Sequence, residues 1–171
     1  MDPKTAAAAK RDILTHFLAA LAYRTQKALR GAPGSFANFR PKQGVRTPHE
    51  LIHHMTCVMG YARTFFGGGE WHPDTLPSFD AEVLRFHEIL ASLRDHLQSG
   101  SQLSTITYER LLQGPLSDAM THAGQLALLR RLHGYPVPPE NFIYADISSK
   151  NVGPDQPEPA RPDKIWKEPA D

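Results

Sequence analysis

Apolar residues recur along this chain at helical spacing, and glycines and prolines divide the pattern into segments. From about Thr5 to Arg30, the residues Leu14, Phe17, Leu18, Leu21, Thr25 and Ala28 follow i, i+3, i+4 steps and predict a first long helix. A second opens at Thr47-Pro48-His49-Glu50, where a Thr N-cap, Pro at the first helical position and Glu two residues on make a capping box. Its buried face is Leu51, Met55, Val58, Met59, Ala62, Phe65 and Phe66. Phe79, Val83, Phe86, Leu90, Leu93 and Leu97 lay one seam along a third helix. The fourth long helix is expected from about Pro115 to His133, preceded by a short one around Tyr108 to Gln113. Gly31 with Pro33, the run Gly67-Gly68-Gly69, Gly100, and Gly134 with Pro136 each close a segment.

Helices of roughly 20 residues, about 30 Å long, bury their stripes best as an all-α four-helix bundle. The 37 Ala+Leu against 12 Ile+Val agree, and no strand pattern competes. After Gly134 the character changes, because eight of the 15 prolines fall in the last 36 residues. The expected organisation is a bundle over residues 1–135 and an extended Pro-rich tail over 136–171. Phe142, Tyr144, Ile147 and Trp166 give that tail anchors, so it should lie over the bundle at least as far as Ile147. Beyond Gly153 the composition predicts weak order or contact with a partner chain.

With 19 Lys+Arg against 18 Asp+Glu and no block of like charge, the chain lacks the clustered cations that a nucleic-acid partner requires. No run approaches the apolar length of a membrane span, and the start does not read as a secretory signal. The single cysteine, Cys57, excludes an internal disulfide and a multi-cysteine metal site. A cytoplasmic setting is the expectation, with Cys57 a small buried residue.

Nine histidines remain to be placed. His49 and His53 point away from the apolar face of the second helix and are expected on solvated surface, whereas His54 falls at the edge of that face. On the last helix Asp118 and His122 stand four apart, one above the other. With His54 they would make two nitrogen ligands and one oxygen ligand, with positions left open for water or substrate. That is the pattern of a catalytic zinc site, and it suits other divalent first-row metals equally. The same three residues also fit an ordinary first-turn aspartate and two half-buried, hydrogen-bonded histidines. His16, His72, His87, His96 and His133 lie on stripe boundaries, loops or helix ends and are not candidates.

The stretches Glu50-Leu51-Ile52-His53-His54 and Asp118-Ala119-Met120-Thr121-His122-Ala123-Gly124-Gln125-Leu126 resemble the DinB superfamily of damage-inducible and thiol-transferase-like bundles. That family shows Glu-Leu-x-x-His on its second helix, which Glu50-Leu51-Ile52-His53-His54 fits with His54 at the ligand position and His53 outside the pattern, and His-x-x-x-His-x-Gly-Gln-Leu on its last. The resemblance makes His54 and His122 ligands, and Asp118 stands where the family carries a histidine. It implies an up-down-down-up topology, frequent homodimers, and a divalent metal such as zinc or nickel. It also implies chemistry in which a low-molecular-weight thiol or a water is activated against a small-molecule substrate. Glu50 and Gln125 would then orient the ligands from behind. The alternative expectation is a stress-response or binding module whose site has lost its chemistry.

Overall fold

The computed structural model describes residues 2–162, and these are all-helical apart from turns, loops and one isolated bridge. Four long helices, α1 (Pro3–Leu29), α2 (Pro48–Gly67), α3 (Phe79–Gln98) and α5 (Ser117–Leu132), are joined by loops and by the one-turn α4 (Tyr108–Leu111). The main contacts of α1 are with α3 and α5, and those of α2 are also with α3 and α5. Each of α1 and α2 is therefore buried on two sides. Leu18 and Leu21, Met55 and Met59, Phe86 and Leu90, and Leu126 meet in one core. None of the described helices is long and apolar enough to cross a membrane.

Local chemistry explains the element boundaries. The capping box at Thr47 is present in both directions: its hydroxyl accepts from the Glu50 amide (3.2 Å), and the Glu50 carboxylate accepts from the Thr47 amide (2.7 Å). Such a cap is worth about 1 kcal/mol and fixes where α2 begins. Ser78 caps α3 more simply, its hydroxyl accepting from the Ala81 amide. The last helix differs from expectation. Tyr108 runs into α5 through a wide turn, Leu112–Leu116, that breaks regular geometry at Gly114 (φ −89°, ψ −106°). Pro115 lacks an amide proton and pushes the residue before it out of the helical region, so the break falls there and regular helix resumes at Ser117.

The tail is docked further along than its composition suggests. Val152 is buried, and its carbonyl accepts from His87 Nδ1 (2.7 Å). Arg30 at the end of α1 donates to the carbonyls of Gln156 (2.6 Å) and Pro157 (3.1 Å) and pairs with Glu158 (2.9 Å). Glu140 bridges to Pro162. The expectation of weak order past Gly153 is thus corrected as far as Pro162. A guanidinium satisfies carbonyls that prolines leave unpaired, which a composition argument does not see. Trp166 lies outside the described residues.

Candidate metal centre

Two helices bring the expected residues together. His54 lies near the start of α2, in a phase set by the capping box, and Asp118 and His122 occupy successive turns of α5. One ligand atom from each of the three lies within 4.8 Å of the others. Asp118 Oδ1 is 3.4 Å from His122 Nε2, and Asp118 Oδ2 is 3.8 Å from His54 Nε2. The two imidazoles meet edge to face, with centroids 4.7 Å apart. This group could hold a metal ion.

Hydrogen bonding prepares it for that role. The Gln125 side-chain oxygen can only accept, so its 2.9 Å contact with His122 Nδ1 places the ring proton on Nδ1. The Nε2 lone pair is left facing Asp118 and His54, as ligation requires. Gln125 thus stands where an orienting group belongs. Burial, then the charges of Arg46 and His122, lower the pKa of His54, with Asp118 acting against them. Its imidazole is consequently neutral near pH 7, the form that binds metals. The cluster is graded in exposure: His122 is buried, the His54 side chain is 31% exposed and that of Asp118 48% exposed. Solvent reaches it from the carboxylate side.

Cavities flank the cluster on both sides of a Val58–Tyr61 ridge. One of 440 Å³ is lined by His54, Cys57, Trp71 and His72, and one of 590 Å³ by Asp118, Thr121 and Pro115. Trp71 reaches the first because Gly68 (φ 71°) and Gly69 (φ 83°) turn the chain back over α2. There its indole lies against Gly60, and Arg63 covers it at 4.7 Å.

Other expectations are corrected. Both Glu50 oxygens are engaged at the helix start, one by the Thr47 amide and the other by Arg40 (2.6 Å). Glu50 therefore caps α2, and no hydrogen bond joins it to His54 among the described residues. His49 is not on solvated surface: its Nε2 is buried and its ring meets Phe79 edge-on. His53 is likewise enclosed, in a network that the helical wheel missed. Arg85 donates to Glu82, to the Asp74 carbonyl and to His53 Nδ1 (3.2 Å), and Glu82, with a fully buried side chain, also accepts from the Leu76 amide. A guanidinium only donates, so His53 carries its proton on Nε2, toward Cys57 Sγ at 3.6 Å. Burial and then Glu82 push the half-buried Cys57 thiol up, so it stays protonated at neutral pH. The sequence signal was Glu82 with Arg85 at i, i+3 on α3.

The chain matches no family model, no curated protein and no solved structure.

Proposed function

We propose that this protein is a divalent-metal-binding member of the DinB superfamily, an up-down-down-up four-helix bundle with zinc or nickel at His54, Asp118 and His122. The observation that carries the proposal is the convergence of those three ligand atoms from two helices within 4.8 Å. The packing of α1 and α2 each against both α3 and α5 is compatible with that topology. The reaction proposed is transfer or hydrolysis on a small-molecule substrate by a low-molecular-weight thiol or a water. An ion held there would supply Lewis acidity, lowering the pKa of the thiol or water brought to it.

The protein's own groups supply the remainder. Gln125 holds the His122 tautomer, and Asp118 contributes a carboxylate from the solvent side. Trp71 and Tyr61 form aromatic walls beside His54, against which a substrate's apolar part would rest. A homodimer and a reducing, cytoplasmic setting belong to the same proposal, and the unpaired Cys57 is compatible with that setting.

Cobalt(II) provides a spectroscopic test. Protein loaded with cobalt should show ligand-field absorption, and a small thiol should add a sulfur-to-cobalt charge-transfer band. His122→Ala should lose both. A cobalt spectrum that ignores thiols would leave water as the activated group, and failure to bind cobalt would remove the metal centre.

A further inference from the structure

On the far side of α5 the docked tail closes a separate cavity, of 240 Å³, between α1 and α5. Its α5 wall is Met120, Ala123, Gly124, Ala127 and Arg131. At about 100° per residue these lie roughly half a turn around the helix from Asp118, His122 and Gln125. The cavity is therefore separate from the metal centre.

Its lining has two characters. Met120, Ala123, Ala127, Val137 and Phe142 are apolar, whereas Arg24 and Lys27 bring two cations against one carboxylate, Glu140. That carboxylate is already engaged. Its side chain is fully buried, Oε1 accepts from the Tyr23 hydroxyl at 2.7 Å, and Oε2 lies 3.0 Å from the Lys27 ammonium. Lys27 has three N–H donors and one carboxylate partner, so donor capacity remains at the cavity wall. Arg24 is the more telling residue. Its guanidinium is held 3.8 Å from the centre of the Phe142 ring, yet it has no hydrogen bond or ion pair among the described residues. A guanidinium so placed presents unused donors in the fork that matches a carboxylate.

We propose that this cavity binds a small organic anion: a carboxylate head on Arg24 and Lys27, with a short apolar body on Met120, Ala123 and Ala127. Charge excess selects an anion, and the apolar wall selects one with a hydrocarbon part over a simple ion. The volume, below the roughly 300–1,000 Å³ of drug-sized sites, selects a small one. Because Val137 to Phe142 of the tail form one wall, the ligand touches both helices and tail and should stabilise the docked tail by mass action.

Calorimetric titration of the full chain tests this, with hexanoate, hexanol and inorganic phosphate as probes. Hexanoate should bind saturably and raise the melting temperature, hexanol should not bind, and phosphate should bind more weakly than hexanoate. Arg24→Gln should weaken hexanoate by about tenfold or more, the loss of a charge-assisted hydrogen bond. Gly124→Leu, where an added Cβ meets nothing within 4 Å, should fill the cavity and weaken it similarly without harming the fold. His122→Ala should leave hexanoate binding unchanged. The proposal is overturned if hexanoate shows no saturable binding, if Arg24→Gln binds it as well as the natural chain, or if His122→Ala abolishes it. Tighter binding of phosphate than of hexanoate overturns the apolar half of the site.

Discussion

Gly60 is a residue whose identity is set by a neighbour. A Cβ built there would sit 2.1 Å from Trp71 Nε1, so the indole and any larger residue compete for one space. Gly60→Ala should push Trp71 off α2 and cost about 1–3 kcal/mol, the usual penalty of overpacking. Urea unfolding would measure the loss, and Trp71 emission in a Trp166→Phe background should shift toward the red. His87 makes a different kind of statement. Its Nδ1 donates to the Val152 carbonyl, while its Nε2 is buried with no partner. Burial lowers its pKa, with the Val152 carbonyl acting against this. The unfolded chain therefore takes up this proton first. The stability contributed is full above about pH 6.5 and declines as the pH falls toward the lowered folded value. His54 acts with the same sign. Unfolding of metal-free protein should thus need less urea at pH 5.5 than at pH 7.5, and His87→Gln should shrink the difference.

At the scale of elements, the α2–α3 contact carries the polar clamp of Glu82, Arg85 and His53. Burial raises the Glu82 pKa, but the Arg85 guanidinium and the Leu76 amide together outweigh it and hold the carboxylate below its usual range. Its contribution is present above that range and is lost as the pH falls through the lowered folded value. Glu82→Ala would leave Arg85 without its carboxylate and should cost on the order of 3 kcal/mol in urea unfolding. The clamp also shows what the sequence could and could not convey. The capping box at Thr47 and the seam from Phe79 to Leu97 were legible because each is a local pattern. The surroundings of His49 and His53 were not legible, because a single apolar face describes a helix packed on one side only. That helix has neighbours on two sides, and polar residues of one flank meet α3. Glu82 reads locally as an ordinary acidic residue of a first turn, and its burial depends on a loop and a helix distant in sequence.

For the whole molecule, the tail is part of the packed structure through Pro162. Its proline content pointed the other way. The anchors are polar: Arg30 on two carbonyls, His87 on Val152, and Glu140 between Tyr23 and Lys27. A chain ending at Gly134 would strand Lys27, which is buried against Glu140, and should lose on the order of 3 kcal/mol or more. Urea unfolding of that shortened chain checks this, and its sedimentation beside the full chain shows whether the tail serves the proposed dimer. The cluster of His54, Asp118 and His122 was legible at this scale too. The i, i+4 pair supplied two of its three residues, and the edge position of His54 supplied the third.

The most direct test of the account is elemental analysis of untagged full-length protein beside His122→Ala. The metal centre predicts about one zinc or nickel per chain, or the uptake of about one on incubation after chelation, and a near-complete loss in the variant with its helicity intact. No bound metal before or after incubation, or the same metal content in His122→Ala, would contradict it.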